Sequence, residues 1–244
     1  MSEGKIPLCV FSLKGGVGKT TMACAITRGL QERGHQVAFL DADYNNPVAH
    51  LLLGIPHQRH KPLPDYGIAP VAHDGFQFAS IAFLFSPTGT SKQATSARAR
   101  VLEELCTTLR WQPHDFLVID TAPSSSEENR TILRTLDPAV VIVAEPGILS
   151  ERGLERGVRF LKATGAQVLG LLGNKGYDPS RAASALGVPV LGTVPFTERP
   201  TVSVERLLGS QPIRLGGPSL VQKGKRSILR TGLEAYVKVK EWRR

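Results

Sequence analysis

The stretch Phe11–Ile26, FSLKGGVGKTTMACAI, constrains the fold more than any other part of the chain. It joins an apolar, strand-like run (PLCVFSL) to a segment with helical patterning, Lys19–Arg33. Gly15, Gly16 and Gly18 carry no side chain to hold an anion away, so successive backbone N–H groups can turn inward onto phosphate oxygens. The dipole of the following helix adds to that site. Such a loop needs a strand to launch it and a helix to receive it, and both are in place. The usual phosphate-binding string reads G-x-x-x-x-G-K-[ST]. Gly18, Lys19 and Thr20 match its end, Leu13 stands at the first glycine, and a second lysine, Lys14, follows. Losing that glycine leaves the cradle intact. Lys19 can reach the terminal phosphates and the Thr20 hydroxyl can ligate Mg²⁺, with Val17 and Thr21 completing the loop around a nucleotide.

The remaining chain supplies the layers such a loop requires. QVAFLDAD, FQFASIAFL, DFLVIDT, AVVIVAE, QVLGLLGN and VPVLGTV read as strands buried on both faces. Helical segments Lys92–Leu109, Glu127–Leu136, Leu149–Lys162 and Ser180–Leu186 alternate with them. That order predicts one α/β domain over residues 1–244: three layers, doubly wound around a mostly parallel sheet. GIPHQRHKPLPDYGIAP reads as a surface loop, with His57 and His60 solvated rather than metal-bound. Cys9, Cys24 and Cys106 are scattered and read as buried free thiols. With no signal peptide and no apolar run of membrane-spanning length, a cytoplasmic location is expected. Net charge is +9, and +6 of it lies between Lys223 and Arg244, a basic C-terminal helix or tail. That asymmetry predicts an anionic partner.

Three aspartates follow strands. Asp41 and Asp43 end FLDAD, and Asp120 closes FLVID after four apolar residues, the pattern of a carboxylate that holds Mg²⁺. The string KGGVGKTT resembles the deviant Walker A motif of the MinD/ParA/Mrp superfamily of ATPases. The resemblance implies a SIMIBI-type P-loop NTPase fold, ATP and Mg²⁺ as cofactors, and an ATP-dependent homodimer. It gives Lys14 a role: reaching across the dimer to the partner's phosphates, as an arginine finger does. It implies that Asp43 positions the attacking water and attends the Mg²⁺ with Thr20 and Asp120, partly through water. By the same resemblance Asn174 in LGLLGNKGY contacts adenine and Pro195 in GTVPF lines the base pocket.

The middle of the chain looks most like the Mrp/ApbC branch, but TAPSSSEEN departs from that branch's glycine-bearing switch. No cysteine follows Cys106, so the C-x-x-C pair of cluster-binding Mrp proteins is missing. Three function classes follow. The main expectation is an ATP-driven dimer switch that binds DNA non-specifically through Lys223, Lys225, Arg226 and Arg230 and positions a cargo, with an unidentified protein activator. The alternative is an iron–sulfur or metal-cofactor assembly ATPase. The third is a MinD-like membrane-surface switch, which the narrow stripe Leu229, Leu233 and Val237, interrupted at Gly232, supports poorly.

Overall fold

A computed structural model describes residues 5–84 and 95–209, with the side chains at 95 and 148–151 excepted. Its strands are β1 (Ile6–Phe11), β2 (Val37–Asp41), β3 (Lys61–Pro62), β4 (Ile68–Ala69), β5 (Val71–His73), β6 (Phe76–Ser80), β7 (Phe116–Asp120), β8 (Ala139–Ala144), β9 (Gln167–Gly173) and β10 (Val190–Thr193). The helices are α1 (Lys19–Gln31), α2 (Ala49–Leu52), α3 (Thr95–Thr108), α4 (Glu127–Leu136), α5 (Ile148–Thr164), α6 (Ser180–Leu186) and α7 (Val204–Gly209). Eight strands form one sheet in the order β10-β9-β8-β1-β7-β2-β6-β5. All neighbours are parallel except the edge pair β5–β6. The doubly wound, mostly parallel α/β fold expected from the sequence is therefore present.

Strand residues point alternately to the two faces, and that alternation builds the three layers. In β1, Leu8 and Val10 join α1 residues Met22, Ile26 and Leu30 on one side of the sheet. Cys9 and Phe11 join Leu154, Val158 and Leu161 of α5 on the other. Farther along that second face, Leu40 and Ile119 pack beneath Leu102 and Leu105 of α3. Because β1, β2 and β7 to β9 run parallel, their C-terminal ends meet along one edge. The registers pair Asp120 with both Val10 and Asp41, and Ala144 with Gly173.

Three local expectations need correcting. The run FQFASIAFL is a strand only to Ser80, and Ile81–Leu84 is a 3-10 turn. Ser80 Oγ accepts from Ala82 N at 3.1 Å, a serine turn that bends the chain out of the sheet. The polar loop after α2 is not featureless, since β3 and β4 form a small antiparallel pair within it and β5 follows. Within that loop His60 is not solvated: it is buried, with Nε2 3.1 Å from Ser80 O and its ring packed on Phe83. His57, on the same ring, is exposed as expected.

Candidate nucleotide site

Residues 12–18 leave the end of β1 and turn into α1. Gly16 and Gly18 have φ of 77° and 92°, left-handed backbone that glycine adopts without strain. Gly18 caps α1 without a side chain of its own to accept from the first N–H groups of the helix. A Cβ at Gly18 would lie 2.3 Å from Asn174 Nδ2, a second reason for glycine there. Lys19 is buried directly after it. Burial lowers the Lys19 pKa, and the nearby Asp120 and Asp43 pull it back up. Thr20 and Thr21 are half-buried at the mouth, and Val17 packs into the core.

The three aspartates take different positions. Asp41 is fully buried and spent on structure: Oδ1 accepts from Asp43 N, and Oδ2 from Ala49 N and Ser80 Oγ. Burial and then the neighbouring Asp120 push its carboxyl well above the usual range. Asp43 Oδ1 accepts from Asn45 N at 3.0 Å and Asn46 N at 3.1 Å, which folds the loop after β2 around its carboxylate. Asp120 differs from both. Burial pushes its carboxyl up to about 7, against the opposing pull of the Thr20 hydroxyl and Lys19. The Thr20 hydroxyl and the Thr121 N–H are near enough to pull on it, yet among the described residues neither Asp120 oxygen has a partner in full hydrogen-bonding geometry. Two buried, orphaned carboxylate oxygens beside a threonine hydroxyl form a hard oxygen donor set that suits Mg²⁺.

On the opposite side of the loop the chain after β9 holds its backbone. Asn174 Nδ2 donates to Val17 O at 2.8 Å, and Lys175 Nζ to Gly16 O at 3.0 Å. Two consecutive carbonyls are thereby turned toward β9, which orients the peptides of the loop. The buried carboxylate of Glu145, just beyond β8, accepts from both Lys14 and Lys175. Although burial pushes the Glu145 carboxyl upward, those two lysines hold it below the usual range. Glu145 and Lys175 were not among the residues the sequence singled out. The available signals were an acid ending the apolar run AVVIVAE and a lysine directly after Asn174.

Lys14, Gly15, Gly16, Lys19, Asp43 and Asp120 thus surround one end of the sheet, with Asn174 on the loop's far side. Pro195 is exposed on the segment after β10, tied to the Asn174 turn through Gly176 N to Val194 O at 2.9 Å. Lys223, Lys225, Arg226 and Arg230 lie outside the described residues. Cys9 and Cys24 are buried and Cys106 packs against the α3 core. Burial pushes the Cys9 and Cys106 thiols up to about 12. Among the described residues no group of three or more histidines, cysteines and acids could hold a metal, and no helix is long and apolar enough to cross a membrane.

Residues 5–181 match a family model described as ParA, NUBPL iron-transfer P-loop NTPase. Cytosolic Fe-S cluster assembly factor NUBP2 of Mus musculus is 29% identical over 223 residues, covering 81% of this chain and 80% of that protein. A nucleotide-binding protein from Archaeoglobus fulgidus, solved in complex with ADP, superposes with a TM-score of 0.67 at 24% identity, covering 84% of each chain. The septum site-determining protein MinD of Pyrococcus horikoshii, complexed with Mg-ADP, gives 0.65 at 20% identity, over 95% of this chain and 96% of that one. These last two likenesses concern the fold.

Proposed function

The chain belongs to the ParA family of NUBPL iron-transfer P-loop NTPases, within the MinD/ParA/Mrp superfamily, and is an ATPase; on that premise we propose a nucleotide-dependent homodimer switch that serves iron–sulfur or metal-cofactor assembly. The observation that carries this reading is the iron-transfer family match, laid over a loop where Lys19, Thr20 and the orphaned Asp120 carboxylate converge. The comparisons favour cofactor assembly over the DNA-partition role expected from the basic tail.

In this reading the N–H groups of Gly15 to Thr20 bind the phosphates, and Lys19 meets the charge at their outer end. Thr20 and Asp120 would hold Mg²⁺, which when bound neutralises the phosphate oxygens. Asp43, fixed by Asn45 and Asn46 N–H groups, orients the attacking water. Lys14 serves the partner's site, so hydrolysis requires two subunits. Asn174 and Pro195 border the base.

Iron–sulfur clusters need thiolates. This sequence has three cysteines and no C-x-x-C pair, and two of the three thiols lie in the sheet and helix core. The cluster's ligands therefore come from a partner that carries exposed cysteines, while this chain supplies the ATP-driven change of shape. The test is transfer of a pre-assembled cluster from a cysteine-bearing scaffold to an apo-ferredoxin, with and without this protein and ATP. ATP-dependent acceleration, with no stoichiometric chromophore on this chain alone after anaerobic iron and sulfide treatment, is the expected result. No acceleration, together with ATP-dependent and salt-sensitive binding to random duplex DNA, would return the protein to the partition reading.

A further inference from the structure

Glu145 is a carboxylate held by two cations from two different loops. Its side chain is 9% exposed, whereas those of Lys14 and Lys175 are 40% and 37% exposed. Lys14 Nζ donates to Oε1, and Lys175 Nζ to Oε2 at 2.6 Å. Lys175 Nζ also donates to Gly16 O at 3.0 Å, so the network starts and ends on the phosphate-binding loop. Lys14 thus reaches the carboxylate just beyond β8, within its own subunit.

We propose that Glu145 is a positioning residue that parks Lys14 in cis, and that ATP-driven pairing exchanges this ion pair for the phosphates of the partner subunit. The inference rests on the homodimer reading above. In the exchange Lys14 Nζ swings off Glu145 Oε1 to reach across the interface, so pairing breaks the parked contact. Lys175 makes the exchange feasible. When Lys14 leaves, Lys175 stays on Glu145, and the buried carboxylate is not stranded without a cation. Before pairing, the same contact keeps Lys14 from its own subunit's phosphates and so suppresses hydrolysis by single subunits.

Replacing Glu145 by glutamine keeps the shape and removes the charge that holds Lys14. In nucleotide-free protein, Lys14 should then react faster with an amine-acylating reagent, read at that residue by peptide mass spectrometry. In an Asp43→Ala background, which stops turnover, ATP-dependent dimers should form with a dissociation constant about tenfold lower, from roughly threefold at each of two released lysines. The Glu145→Gln effect should vanish when Lys14→Ala is also present, which a merely structural role of Glu145 would not produce. Equal acylation rates in wild type and Glu145→Gln, with wild type pairing normally, would overturn the parking alone. Faster acylation with an unchanged dissociation constant would overturn the exchange. Absence of any ATP-dependent dimer in either protein would instead overturn the homodimer reading, and the exchange with it.

Discussion

Asp120, the proposed Mg²⁺ ligand, opposes the fold that holds it. A buried carboxylate with two unpartnered oxygens is costly when ionised, and burial keeps its proton on up to about pH 7. The folded carboxyl thus holds its proton to higher pH than the unfolded one, whose ordinary value is about 3.9. Between those values the native state binds more protons, so this group's contribution to stability falls as pH rises through the window. Asp120→Asn should therefore raise the melting temperature of nucleotide-free protein at pH 8 and change it little at pH 4. Mg²⁺ needs the ionised form, so its affinity in the presence of nucleotide should climb from pH 6 to pH 8 in wild type and stay flat and weak in the variant. Melting curves and Mg²⁺ titrations at those pH values check both. The same scale shows what the sequence revealed. Lys14, Lys19 and Thr20 could be proposed from sequence because a phosphate-binding loop fixes residue types at fixed spacing, and Asp43 and Asp120 because each stands at or just past the end of an apolar strand. Glu145 and Lys175 could not, because each gains its role from a contact across 131 and 30 residues of chain. No local pattern records such a contact.

At the scale of elements, the central strands were legible because parallel strands buried on both faces read as apolar runs. By contrast β10, expected to be buried likewise, is an edge strand with Val190 and Thr193 exposed. The segment between α2 and β6 was not legible, because two- and three-residue strands carry too few residues for any periodicity. His60 organises that segment: its Nε2 lies 3.1 Å from Ser80 O and 3.2 Å from Ser80 N, where β6 ends. Ser80 in turn donates to Asp41 at the end of β2. A polar-looking loop is thereby tied to the strand that delivers Asp43. Burial lowers the His60 pKa, so the unfolded chain takes up its proton first as pH falls. Stability should accordingly decline below about pH 6.5, the ordinary histidine value. His60→Ala should destabilise by about 1–3 kcal/mol at pH 7.5, from lost packing on Phe83 and lost polar contacts. His60→Phe, uncharged at every pH, should show a smaller loss between pH 7.5 and pH 5.5. Denaturant unfolding at both values measures each effect.

For the whole molecule, the mostly parallel sheet gathers the ends of β1, β2, β7, β8 and β9 at a single edge, and the proposed site stands there. Fold and family followed from the sequence because strand–helix alternation and one loop are both local signals. The cargo did not, since it depends on surfaces and partners outside this chain's pattern. The DNA-partition expectation drew on net charge, a property that many anionic partners can satisfy.

The central claim is that each active site is completed by Lys14 of a second subunit. Mixing Lys14→Ala with Asp43→Ala tests it most directly. In a mixed dimer, the site of the Lys14→Ala subunit keeps its own Asp43 and receives an intact Lys14 from its partner, while the other site lacks both. Each variant alone should be almost inactive, and an equal mixture should recover roughly a quarter of wild-type ATP hydrolysis, since half the dimers are mixed and one site in each works. No recovery, with mixed dimers present by native mass spectrometry, would contradict the account.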